Sequence, residues 1–129
     1  MSRLILLALP FWLLAMEPTV KDISVFQTTK TKCEEGDAHA CARMYYFYVP
    51  TRYSYVAGIV PDKKKALFYS QKACELGDAD GCATAAMTLY YGDISDGIPA
   101  DKTKGRALYK KACELGKEDI CTFFLNKNF

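Results

Sequence analysis

The sequence contains one histidine, one tryptophan and five prolines among 129 residues, and its formal net charge is only +2. A lone histidine, His39, cannot build a zinc hydrolase centre, which needs several ligands converging on one ion. Its place at the start of an expected helix makes it a surface residue. Lysines and acids are mixed along the chain, so no basic stripe of the kind that releases counterions from nucleic acid stands out. Neither DNA nor RNA is an expected partner. The close Cys-x-x-Cys pairs of structural zinc sites are missing as well. No Ser-x-x-Lys or Lys-Thr-Gly motif occurs, and Thr29-x-x-Lys32 lies in a polar run without partners. No catalytic residue, metal or cofactor is therefore expected.

What is present, at 25% charged and 50% hydrophobic residues, suits one globular domain with a modest core. The start of the chain differs from the rest. Arg3 precedes an apolar run from Leu4 to Ala15 that is too short to span a bilayer at about 1.5 Å per residue. Residues 1–15 read as a secretory signal peptide, with Ala15 before the cut, although Leu13 is large where a small residue is usual. An uncleaved anchor and a buried first helix are the alternatives. Residues 16–129 then form the mature domain, with no stable membrane span once the signal is removed.

Cysteine spacing carries the most information. Cys33 and Cys41, Cys74 and Cys82, and Cys113 and Cys121 are each separated by seven residues, and the pairs recur at intervals of 41 and then 39. The surrounding sequence recurs with them: Cys74-Glu75-Leu76-Gly77-Asp78 matches Cys33-Glu34-Glu35-Gly36-Asp37 and Cys113-Glu114-Leu115-Gly116-Lys117. A period of this length marks a repeat protein. Gly36, Gly77 and Gly116 stand where a helix would need a left-handed residue to stop. Asp37 and Asp78 follow as N-caps for the next helix, and in the third unit Glu118 or Asp119 would have to serve in place of Lys117. Pro61-Asp62 and Pro99-Ala100-Asp101 stop the preceding segments and open new helices near Lys63 and Lys102. The units, about 20–60, 61–100 and 101–129, are thus helical hairpins.

Apolar spacing supports this: Ala66, Tyr69, Ala73 and Leu76 recur at helical steps, as do Ala83, Ala86, Met87 and Tyr90. Small residues on both stripes allow close axes, and Gly105, in the place of Ala66, accepts a loss of about 1 kcal/mol of helix propensity to keep that approach. A cysteine one turn before the glycine and another four or five residues into the next helix face each other across the hairpin. Disulfides are expected within each pair, each closing a short loop worth roughly 2–3 kcal/mol in the chain-entropy model; export to an oxidising compartment permits them. Metal ligation is the competing reading.

Lys65-Ala66, Tyr69, Lys72-Ala73-Cys74-Glu75-Leu76-Gly77-Asp78, Gly81-Cys82 and Leu89-Tyr90-Tyr91-Gly92 resemble the Sel-one-like repeat of the Helicobacter cysteine-rich protein family. The pattern returns in Ala112-Cys113-Glu114-Leu115-Gly116, and the resemblance covers about residues 24–129. It implies an all-α fold, a right-handed α/α superhelix related to tetratricopeptide arrays, periplasmic or secreted, acting as a scaffold that binds another protein or peptide. It also implies a β-lactamase or penicillin-binding alternative, and small exported scaffolds suit a third role as an immunity or inhibitor protein. The units are longer than usual for that family, with Val49 to Val60 and Gly92 to Pro99 as extended loops, and Val25 and Thr28 make the first unit a degenerate cap.

Lys63-Lys64-Lys65 reads as a solvated first turn. The run Tyr45-Tyr46-Phe47-Tyr48 cannot face one way on a helix, so part of it is left at the surface. Arg52, Tyr53 and Tyr55 are the candidate binding residues, types enriched at hot spots, on a loop expected to extend the surface of the first helices. Purified protein is expected to show no β-lactam turnover above a matched control. Turnover that co-purifies with the protein and disappears on unfolding would contradict this.

Overall fold

Two residues, glycine and aspartate, decide how each hairpin is made. A computed structural model describes residues 20–126, so the signal segment 1–15 lies outside the described residues. The helices are α1 (Val20–Glu34), α2 (Ala38–Tyr48), α3 (Arg52–Ala57), α4 (Lys63–Glu75), α5 (Ala79–Tyr91), α6 (Lys102–Glu114) and α7 (Glu118–Asn126). At the end of α4, Gly77 takes φ +97°, a conformation strained for any residue with a side chain. Its N–H donates to the Cys74 carbonyl at 3.0 Å, and the N–H of Asp78 donates to that of Ala73 at 2.9 Å. These two hydrogen bonds satisfy two of the last carbonyls of the helix. Asp78 then accepts the Gly81 N–H at 2.7 Å through its carboxylate and caps α5. One residue ends one helix and begins the next.

The same geometry recurs at Gly36-Asp37, where Asp37 accepts the Ala40 N–H at 3.0 Å. At Gly116-Lys117 the backbone bonds persist. The expectation that Glu118 or Asp119 takes over the cap is corrected: both lie inside the first turn of α7, where they complement the helix dipole instead. The turns bring the cysteines together as expected, with Cys33–Cys41, Cys74–Cys82 and Cys113–Cys121 bridged at Cα separations of 4.6, 4.4 and 4.7 Å. The first two bridges are buried and the third is partly exposed.

Between units, the second helix of one hairpin packs on the first helix of the next. The α2–α4 and α5–α6 contacts are more extensive than any contact within a hairpin. At the first junction Tyr48 of α2 stacks on Tyr69 of α4 with ring centroids 5.6 Å apart, while inside the first hairpin Phe26 of α1 meets Phe47 edge-on at 5.2 Å. Met44, Ala66 and Ala73 are buried in the same core cluster. At the second junction a Cβ on Gly105 would lie 2.7–2.8 Å from the Cβ, Cα and N of Tyr90, so the helices touch backbone to backbone. Two residues placed on the apolar stripes fall outside them. Leu76 is exposed because it stands at the C-cap, where the chain is already turning. Met87 is exposed because it sits about 100° around α5 from Ala86. The buried stripe of α5 runs instead through Cys82, Ala85, Ala86 and Leu89.

The segment Val49 to Val60, expected as a loop, contains α3. The Ser54 hydroxyl accepts the Thr51 N–H at 3.0 Å and donates to the Thr51 carbonyl at 2.7 Å, while the Thr51 hydroxyl ties the turn to the Tyr46 carbonyl. Ser54 and Ala57 are buried as α3 lies against α1 and α2. Between α5 and α6 there is a 3-10 turn, Ile94–Asp96, closed by an antiparallel bridge between Asp93 and Ile98. Both connections finish alike, with Asp62 and Asp101 donating N–H bonds to the carbonyls of Tyr48 and Leu89 at 2.7 Å.

Glycine to alanine inside a helix ordinarily gains about 1 kcal/mol. Gly105→Ala is expected to do the reverse, lowering stability by about 1–2 kcal/mol, because overpacking against Tyr90 outweighs propensity. The denaturant midpoint with disulfides intact checks this; a raised midpoint would mean that α6 retreats freely.

Candidate interaction surface

Exposed apolar and aromatic side chains lie along the second helices, at Tyr46 on α2 and at Met87 and Tyr91 on α5. Of the run Tyr45-Tyr46-Phe47-Tyr48, Phe47 and Tyr48 enter the core, Tyr45 is half-buried and Tyr46 is exposed. Tyr46 on α2 and Met87 and Tyr91 on α5 border two shallow grooves that share Tyr45. One, of 200 Å³, is floored by Val49 and Ala66 and edged by Lys63 and Asp93. The other, of 150 Å³, lies among Arg43, Tyr46, Ser70, Asp80 and Thr84. Burial, then the neighbouring Tyr46, pushes the Tyr45 phenol upward, against a smaller opposing pull from Lys63. Its hydroxyl is therefore a neutral hydrogen-bonding group at the meeting point of the two grooves.

Charged pairs frame this face. Lys63 is expected as part of a solvated first turn, but its ammonium is drawn onto Asp93 and onto Asp96 at 3.2 Å, and Lys65 lies over the Tyr48 ring, 5.6 Å from its centroid. The Lys63 ammonium, followed by the Ser95 hydroxyl, holds the Asp93 carboxyl down from 3.8 to about 2. Lys117, which replaces the capping aspartate, pairs with Asp80 of the preceding unit at 2.8 Å. His39 approaches Asp78 of the following unit at 3.9 Å and is otherwise exposed. The two contacts are the same contact one repeat apart. Residue order alone did not reveal them; the signal that could have done so is the unmatched lysine in the third Gly-Asp position.

Of the binding residues expected from sequence, Arg52 and Tyr55 are exposed on α3, and the Tyr53 side chain lies outside the described set. Tyr55 is 76% exposed. They sit on the inserted helix, apart from the residues that line the two grooves. All six cysteines are consumed in disulfides. Among the described residues no group of three or more His, Cys, Asp or Glu side chains converges, and no helix is long and apolar enough to cross a membrane.

Stapled hairpins stacked in series, with open grooves along one row of helices, define a helical-repeat scaffold. The Sel1 repeat model matches residues 52–78 and 80–117, and the chain belongs to that family, whose repeats are protein-interaction modules. The solved structure of Helicobacter pylori cysteine rich protein B is similar to it, with 31% identity and a TM-score of 0.65 over 76% of this chain and 68% of that one. No curated protein matches the sequence. The match at 80–117 runs from α5 into α6, across the larger interface rather than within a disulfide hairpin.

Because the folded carboxyl of Asp93 titrates below its unfolded counterpart, its contribution to stability is present above about pH 4 and is lost as pH falls through about 2. Wild-type protein should therefore be more stable than Asp93→Asn at mildly acidic pH, and the gap should close as pH approaches that lower value. Thermal melts of both across this range provide the measurement; a constant gap would detach the effect from ionisation.

Proposed function

We propose that the protein is an exported interaction scaffold, working in an oxidising periplasmic or extracellular compartment and capturing a protein or peptide partner on an open surface. Residues 1–15 serve as its signal peptide. The observation that carries export is the complete pairing of six cysteines, since such bonds persist where glutathione and thioredoxin do not reduce them. For an open surface, support comes from rings left in solvent without a packing role. Tyr55 projects from α3 beside Arg52, while the Ser54 and Ala57 side of the same helix is buried. A helix anchored on one face and carrying a guanidinium and a ring on the other is a contact element, since tyrosine and arginine give large contact area with a polar tip. Arg52, Tyr53 and Tyr55 are assigned this role.

A second surface has its own observation in favour: the adjoining grooves on α2 and α5 carry Tyr46, Met87 and Tyr91 exposed together. The two are separable. Arg52→Ala, Tyr53→Ala and Tyr55→Ala combined should leave the melting temperature unchanged and cost about 2 kcal/mol or more of binding to a partner captured by the wild type from periplasmic extract. Full-strength capture by this stable variant would transfer the role to the grooves, and a lowered melting temperature would return the three residues to packing.

A further inference from the structure

The second and third hairpins each offer a seat beside their two helices that the preceding second helix fills. In the second unit α2 lies there, with Tyr48 on Tyr69, Lys65 over Tyr48 and His39 near Asp78. In the third unit α5 lies there, with Tyr90 against Gly105 and Asp80 on Lys117. Shifting by the 41-residue period places the same seat in the first unit between α1 and α2. There the structure has a groove of 410 Å³, and no helix among the described residues occupies it.

The walls of this groove differ chemically from those of the interior seats. Thr28 stands where the second unit has Tyr69, Lys32 replaces the fully buried Ala73, and Arg43 replaces Thr84. His39 lies on the rim, and Asp37, the one carboxylate among the described residues that line the groove, is engaged in capping α2. An apolar helix like α2 or α5 seated here would cover the Lys32 ammonium without a counter-charge, which costs more than the burial returns. A segment carrying carboxylates would instead pair with Lys32 and Arg43 and accept hydrogen bonds from the hydroxyls of Ser24 and Thr28.

We infer that the seat between α1 and α2 of the first unit, which no helix among the described residues fills, binds an acidic peptide segment of a partner protein through Lys32 and Arg43. This rests on the reading of the chain as an interaction scaffold but concerns a different face from Arg52, Tyr53 and Tyr55. A rival for any anionic probe is the exposed stripe Lys102, Arg106 and Lys110 on α6.

The test is titration of the isotopically labelled full chain with a capped oligoglutamate peptide, with capped oligoglutamine as control, followed by amide NMR shifts. Saturable shifts are expected at Ser24, Thr28, Lys32 and Arg43 with the acidic peptide alone, weakening as salt is added. Lys32→Gln with Arg43→Gln should weaken binding by about tenfold or more, while Lys102→Gln, Arg106→Gln and Lys110→Gln together should leave it unchanged; the spectra themselves report that each variant is folded. Shifts centred on α6, equal binding by the Lys32 and Arg43 variant, or no saturable shift would overturn the proposal. Failure of the Arg52, Tyr53 and Tyr55 capture experiment would leave this titration untouched, so the two readings fail separately.

Discussion

The rest of the structure depends on the close packing of a second helix against the first helix of the next hairpin. At the second junction that contact is tight enough for a missing Cβ at Gly105 to matter, and at the first it is a stack of two tyrosine rings over alanines. Within a hairpin the contact is thinner, and it is there that the disulfides lie. Covalent and non-covalent cohesion are divided between the two kinds of interface. Loop closure in the unfolded chain strengthens the hairpins, and buried apolar area strengthens the seams between them.

This division explains what could be read from the sequence. The cysteines, Gly36, Gly77 and Gly116, and the capping aspartates act within about ten residues of one another, so spacing alone exposed the hairpin, its turn and its bridge. Features set by contacts across a whole repeat were not legible. Lys63 meets Asp93 thirty residues later, and Asp80 meets Lys117 after a similar interval. Helix α3 escaped notice because its Thr51 and Ser54 hydroxyls organise a helix too short for an apolar period to register. The placing of Leu76 and Met87 on buried stripes went astray for a related reason: periodicity locates a face but not where the chain leaves it or what the neighbouring unit covers.

The third hairpin shows how one substitution can serve two ends. With Lys117 in place of aspartate, α7 loses a side-chain cap worth about 1 kcal/mol, yet the ammonium reaches back to Asp80 on α5. The same locus therefore holds a local capping device in two units and a tie between units in the third. His39 near Asp78 shows that this locus lies at the seam in both the second and the third unit, and the residue chosen there sets whether the seam carries charge.

The Gly-Asp turn has a geometric consequence. Because its backbone bonds and the disulfide beside it recur in every hairpin, each unit is a wedge closed in the same way. The bend of the whole array must then be set at the seams, by how near one helix axis comes to the next. Ala66 at one seam and Gly105 at the equivalent place in the other leave a difference of one methyl group between the two joints. Such a chain can adjust its pitch, and so the breadth of surface offered to a guest, by altering single side chains at the joints while every wedge keeps its shape.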